Sequence, residues 1–300
     1  MSLFYVALVM INYLMKKYYK LLLVLSATIF ITSCSYVGPL SSKSSNLLEI
    51  HSIDVGQGDS TLIVSPDGHS MLIDAGEDEY SRNVIRHIKR SKVKCLDYLV
   101  GTHFDSDHIG GVDKVAKEIP TKQIFLTDDK GSNKDLIEII NISKEKNIPI
   151  CPLKSGQTIK LGKDISYYVL APLSKKEDSN DNSLVILLKY LNHYSIFTGD
   201  AGSNIESEIL SHYTLPRVDL LKVGHHGSKN SSCDQFLSNL SPKIAVISCG
   251  YGNSYGHPHQ DTLDRLHKVN SKIYRTDLNG DMVFYFDGSK IYTKNRYKFQ

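Results

Sequence analysis

The chain has 300 residues, 41% apolar and 22% charged, enough for one large folded domain or two small ones. Its net charge of +3 is too small to argue nucleic-acid binding by itself. Five cysteines, at positions 34, 95, 151, 233 and 249, show no CxxC pair and no zinc-finger spacing.

Lys16, Lys17 and Lys20 precede an apolar run over residues 21–31. That run is too short to span a bilayer as a helix. It fits the basic and apolar regions of a secretory signal. It ends in Ile31-Thr32-Ser33-Cys34, which resembles a bacterial lipobox. In that case Cys34 is lipidated and becomes the mature N-terminus; the alternatives are an ordinary export signal or a single membrane anchor. Met15, followed by two lysines, reads as the natural start of a signal peptide that closes at Cys34. Residues 35–46 are Ser-rich and include Gly38 and Pro39, so they read as a flexible tether. The folded domain is expected over residues 47–300.

Residues 48–55 and 61–64 alternate polar and apolar positions and read as strands. Gly56-Gln57-Gly58-Asp59 between them is a tight connection in which glycine permits positive φ. Pro66-Asp67-Gly68 is a turn signal, and residues 70–73 form a third strand that delivers Asp74. A helix is expected over 80–92, with Val84, Ile85 and Ile88 inward and its Arg and Lys residues on a solvated face. Residues 95–100 read as a buried strand. Residues 102–112 then read T-H-F-D-S-D-H-I-G-G-V. They place His103, Asp105, Asp107 and His108 on the turn between a strand and a helix. Imidazole and carboxylate together suit zinc, manganese or iron better than calcium or magnesium. Ligands that alternate along a short turn point to two sides and can serve two ions. The alternative is a polar turn whose aspartates cap the next helix.

Further on, a helix over 114–118 stops before Pro120, residues 124–126 form a strand, and 134–146 form a helix. The inner face of that helix is expected to be Leu136, Ile137, Ile139 and Ile140. This alternation argues α/β layering. Short strands over 151–170 precede a charged loop at 175–181 and a strand at 184–190. Asn192-His193 reads as a hairpin turn, with His193 at the surface. A strand over 194–198 ends in Gly199-Asp200. Ser203 is the expected cap of a helix over 203–211, with Glu206 three residues on. The strand over 218–223 delivers Gly224-His225-His226-Gly227-Ser228. Two adjacent histidines between glycines cannot both face a core, so one or both are expected to face the metals. A strand over 244–248 leads to a loop in which His257 and His259 flank Pro258. His259 is expected at the start of a helix over 262–269, and three short strands close the chain. Cys95, Cys151 and Cys249 lie in apolar stretches and read as buried small hydrophobes.

The run H-x-D-x-D-H-x-G-G resembles the metal signature of the metallo-β-lactamase fold. Asp105 stands where most members carry a second His, which is similar to the hydrolase domain of the competence protein ComEC and its stand-alone relatives. Other segments agree in order: H-S-I-D-V-G-Q-G-D-S at 51–60, L-I-D-A-G at 72–76, F-T-G-D at 197–200, K-V-G-H-H-G-S at 222–228 and Y-G-H-P at 255–258. The resemblance implies an α/β metallo-β-lactamase αββα four-layer sandwich. It also implies a metal-dependent hydrolase with two divalent ions, zinc first and manganese second. One ion would take His103, Asp105 and a later His; the other would take Asp107, His108 and His257; Asp200 would bridge them. His225 or His226 would complete the first ion's set or pass a proton to the leaving group. The expected catalytic residues are His226, Asp107 and Asp74, with Asp74 orienting a ligand or, alternatively, only capping structure. Many members carry a further His ligand near Asn182-Ser183. This chain has none, which leaves one ion short of a protein ligand.

The function expected on this basis is an exported, lipid-anchored phosphodiesterase on the outer side of a bacterial membrane. Its substrate would be DNA or a phosphorylated envelope component, and no protein partner is inferred. The alternatives are a phosphorylcholine-esterase-like or lactonase-type hydrolase, or a binding lipoprotein without chemistry. A β-lactamase is disfavoured by the missing His.

Overall fold

Alternation along the first strand sets the architecture: Leu48 and Ile50 face one side and Glu49 and His51 the other. The computed structural model describes residues 47–129 and 131–293. The signal segment with Cys34, the tether at 35–46 and residues 294–300 lie outside the described residues. The strands are β1 (Leu48–Ser52), β2 (Thr61–Val64), β3 (Ser70–Ile73), β4 (Leu96–Gly101), β5 (Thr121–Thr127), β6 (Ile150–Leu153), β7 (Thr158–Leu161) and β8 (Ile165–Ala171). They continue as β9 (Val185–Tyr190), β10 (His193–Phe197), β11 (Leu220–Lys222), β12 (Ile244–Ile247), β13 (Lys272–Arg275), β14 (Met282–Phe286) and β15 (Ile291–Thr293). One sheet runs β15-β14-β1-β2-β3-β4-β5-β6 and the other β13-β12-β11-β10-β9-β8-β7. Within them β3 to β6 are mutually parallel, as are β10 to β13.

The helices are α1 (Ser81–Arg90), α2 (Ser106–Ile109), α3 (Val112–Glu118), α4 (Lys134–Lys146), α5 (Ser203–His212), α6 (Asp234–Leu240), α7 (Gln260–Lys268) and α8 (Thr276–Asn279). Three apolar layers separate four layers of structure. Ile50, Ile63, Tyr167, Phe197, Phe284 and Phe286 pack between the sheets. Leu72, Val84, Ile88, Leu99, Val115 and Ile139 join the first sheet to α1, α3 and α4. Ile196, Ile205, Leu221, Phe236 and Leu266 join the second sheet to α5, α6 and α7. Each buried side chain of this size contributes roughly 1.5–3 kcal/mol relative to exposure. The result is the expected αββα sandwich.

Several local expectations are corrected. Ile137 is 51% exposed; the buried residues of α4 are Leu136, Ile139, Ile142 and Ser143, and the expected Ile140 packs, partly buried, against the same core, as a 3.6-residue period requires. His193 is buried at the start of β10, where His193, Ser195 and Phe197 share one side of the strand. Its Nδ1 lies 3.0 Å from Asp219 Oδ2, and its ring edge meets Phe286. Gly202, not Ser203, holds the cap position of α5, and the Glu206 carboxylate accepts the amides of Ser232 and Cys233 instead. Cys249 is buried, whereas Cys95 and Cys151 are half-buried.

The connections after β1, β3, β4, β10, β11 and β12 gather at one edge of the sandwich, at the carboxyl ends of those strands. In α/β sheets this is where ligand sites form.

Candidate metal centre

The loop after β1 brings Asp59 to the turn after β4. A Cβ on Gly58 would sit 2.4 Å from the Asp107 carbonyl oxygen, so glycine is required for the approach. The Asp59 amide donates to that same carbonyl at 3.1 Å. Asp59 is buried and pairs with a buried lysine, Lys222, at 2.6 Å.

Asp74 lies behind the site. One carboxylate oxygen accepts the Thr102 amide at 2.8 Å; the other accepts the Thr102 hydroxyl at 2.7 Å and faces His108 Nδ1 at 2.8 Å. A carboxylate on one ring nitrogen fixes the tautomer and aims the other nitrogen, the usual support for a metal-binding histidine. His108 Nε2 accordingly points at Asp200 Oδ1, 3.1 Å away.

Asp200 follows β10 and stands at the middle. Its other oxygen is 3.4 Å from His226 Nε2 and 3.8 Å from His225 Nε2. Ser183 accepts the Asp200 amide at 3.0 Å, so this serine supports the backbone of the central carboxylate. His226 Nε2 also meets Asp107 Oδ2 at 3.0 Å, and its Nδ1 lies 3.0 Å from the Ser248 carbonyl. Asp74, His225 and His226 all have positive φ. Each such non-glycine residue costs on the order of 1–3 kcal/mol, and such strain concentrates at functional sites.

Around the mouth, His103 is buried with Nε2 3.7 Å from Asp105 Oδ2. The Asp105 side chain is 44% exposed, and Ser179 donates to its other oxygen. The His225 side chain is 31% exposed. His257 stands beside the cluster, its ring 5.7 Å from that of His225 and 6.3 Å from that of His226, with Nδ1 3.5 Å from Gln57 Nε2.

Electrostatics follow from the crowding. Burial raises the Asp200 carboxyl, but His226 and His108 outweigh it and hold the group well below the usual carboxylate range. Burial lowers His108 and His226, but the facing carboxylates, Asp200 first, carry both well above the ordinary histidine value. Burial opposes Lys222 and His226 at Asp59, yet they bring it to about 2. Burial and then His226 and His225 push His257 down to about 4. The carboxylates demand positive charge here, which protons or metal cations supply.

The donors fit metal ions. Ligand atoms of Asp59, His108, Asp200 and His226 all lie within 4.8 Å of one another. Among the described residues His103 Nε2 is buried with no hydrogen-bond partner, while His108 Nε2 and Asp200 Oδ1, 3.1 Å apart, and Asp59 Oδ1, 3.3 Å from His226 Nδ1, are buried and meet only as charge pairs. A buried polar atom left unpaired costs roughly 1–3 kcal/mol. Coordination would satisfy these buried donors together, and a mixed imidazole and carboxylate set suits zinc or manganese. The structure thus brings His103, Asp107, His108, Asp200 and His226 together over Asp74, and sets Asp105, His225 and His257 around the opening. Asp59 and Lys222 are the residues that sequence reading missed. A lysine inside the apolar run Leu220-Leu221-Lys222-Val223 was the available signal, because a buried ammonium requires a partner.

Comparison with known proteins agrees. Residues 53–251 match the Metallo-beta-lactamase superfamily. ComE operon protein 3 of Bacillus subtilis (strain 168) is 32% identical over 254 residues, which are 79% of this chain and 33% of that one. Competence protein ComA of Neisseria gonorrhoeae is 30% identical over 234 residues, 77% of this chain and 31% of that one. The chain therefore spans about a third of the length of these curated relatives. The solved structure of the metallo-beta-lactamase fold protein YhfI from Bacillus subtilis covers 80% of this chain and 99% of its own at a TM-score of 0.56. At 13% identity that likeness speaks for the fold alone. By its four layers, its donor cluster and the matched region, the chain belongs to the metallo-β-lactamase superfamily of metal-dependent hydrolases and is related to competence proteins.

Proposed function

We propose that the protein is a phosphodiesterase that works with two divalent ions, zinc first and manganese second. Asp59, Asp107, His108, Asp200 and His226 would hold the inner ion. His103, Asp105, Asp200 and His225 would hold or border the outer one. When bound, the ions supply Lewis-acid polarisation of a phosphoryl oxygen and activation of water. The observation that carries the reading is the asymmetry around Asp200. The outer side has Asp105 in place of an imidazole, Ser183 turned to the backbone, and solvent at Asp105 and His225. That leaves room for a non-bridging phosphate oxygen.

His226 is locked between the Ser248 carbonyl, Asp107 and Asp200, which favours a ligand role. His225, more open, is the imidazole suited to pass a proton to the leaving oxygen. Asp74 keeps His108 in one tautomer. The similarity to competence proteins makes DNA the first substrate to try, with a phosphorylated envelope component second.

Residues 35–300, loaded with zinc or manganese, should cleave bis-p-nitrophenyl phosphate or linear DNA and lose that activity with a chelator. Faster hydrolysis of nitrocefin would overturn the reading. Export and lipid attachment at Cys34 are proposed on the basic start, the apolar run and the cysteine that ends it. Among the described residues no helix is long and apolar enough to cross a membrane. Cys34→Ser should leave the protein unprocessed or unlipidated; a mature-length species that still partitions into membranes would contradict the anchor.

A further inference from the structure

The loop between β12 and α7 carries two tyrosines that the metal centre does not use. Tyr251 is 86% exposed and Tyr255 is 66% exposed. The loop that presents them is tied down. The Asn253 side chain donates to the carbonyls of Gly250 and His257 and accepts the His257 amide at 3.0 Å. The Gly250 amide donates to the Gln57 side chain at 3.1 Å, which joins this loop to the one bearing Asp59. Gly252 and Gly256 make the turns with positive φ. The base is bonded on both sides, while the rings at the tip stay in water.

The Tyr255 ring is stacked on His257, with centroids 5.7 Å apart and planes inclined by 19°. His257 packs edge-on against His225, whose Nε2 reaches toward Asp200. A line of rings therefore runs from the central carboxylate to the surface and ends in an aromatic face that is 66% exposed among the described residues. Offset stacking is the favoured geometry for such faces, and aromatic platforms accept any planar ring regardless of its hydrogen-bond pattern.

We propose that Tyr255, with Tyr251 on the same loop, forms a subsite for a planar ring carried by the phosphate ester, a nucleobase or aryl group rather than an aliphatic head group. The proposal rests on the phosphodiesterase reading for the identity of the phosphate ester. The ring subsite supplies the selectivity that a net charge of +3 does not supply through the phosphates.

The test is binding, which needs no turnover. The zinc-loaded full chain is titrated calorimetrically with thymidine monophosphate and with glycerol phosphate, as wild type, Tyr255→Ala and Tyr255→Phe. The wild type should prefer the nucleotide. Tyr255→Ala should weaken nucleotide binding roughly 10-fold, a typical loss for one stacking ring, and remove most of the preference. Tyr255→Phe should restore it. Equal weakening of both ligands in Tyr255→Ala would mean that the ring only props His257 and would overturn the subsite. So would a wild type without preference, or one that binds neither ligand. If only vesicle binding falls in Tyr251→Ala and Tyr255→Ala, the tip is a membrane contact and the proposal is wrong. A chain that keeps the ring preference but cleaves no phosphodiester would sink the phosphodiesterase reading and leave the subsite standing. Cleavage without ring preference would do the reverse.

Discussion

The inner side of Asp200 and its outer side are held in different ways. Asp59, His108 and His226 are buried, and each is fixed from behind: Lys222 holds Asp59, Asp74 holds His108, and the Ser248 carbonyl holds His226. Asp105 and His225 are partly exposed, and Asp105 is steadied only by Ser179 among the described residues, beyond its neighbour His103. An inner group locked by its supports has its ligand geometry before an ion arrives, which lowers the ordering cost of binding. An outer group open to solvent leaves a place for exchange with substrate. The division of labour, holding inside and turnover outside, is what the following changes should expose.

Asp200→Ala removes the group shared by both sides. Metal content and phosphodiester turnover should fall together, turnover by roughly 10³-fold or more, with the circular dichroism spectrum retained. His225→Ala should lower kcat by roughly 10²-fold, in the range of a lost general acid, while keeping the inner ion. His226→Ala should instead lose metal. If the two alanine variants release metal equally, the two sides are not different. Asp74→Asn keeps every donor in place but weakens the orientation of His108, so metal affinity should drop roughly 10–100-fold in a competition with a chelating dye.

The smallest effect is in pH. In the metal-free protein the carboxylates hold His108 and His226 above the ordinary value of 6.5, against burial. A raised histidine contributes stability that is present below its unfolded value and is lost as pH rises through the folded one. The chelator-treated protein should therefore lose thermal stability on going from neutral to alkaline pH, and added zinc should recover it. A metal-free protein whose Tm rises across that window would contradict the pairing of these imidazoles with Asp200.

The first half of the centre was legible because His103, Asp105, Asp107 and His108 sit on one turn, where their spacing alone declares a ligand set. The layered fold was legible for the same local reason, since strand and helix periods alternate along the chain. Asp59 was not, because its role depends on a non-local approach that Gly58 allows and that no local pattern encodes. His193 was misread because the reversal ends one residue earlier than its polar signal suggests: Leu191 takes the positive φ, and His193 already belongs to β10. Ile137 was misread because an apolar side chain next to Leu136 looks inward until the helical period is counted. The division between His225 and His226 depends on two adjacent left-handed residues, which turn neighbouring side chains in different directions.

Metal content tests a two-ion centre most directly. Folded, full-length protein supplemented with zinc or manganese and freed of excess should hold two equivalents per chain by elemental analysis. That number should fall to one when Asp105→Asn and His225→Ala are combined, and to none in Asp200→Ala. A folded wild-type chain that retains no ion after either supplement would contradict the account.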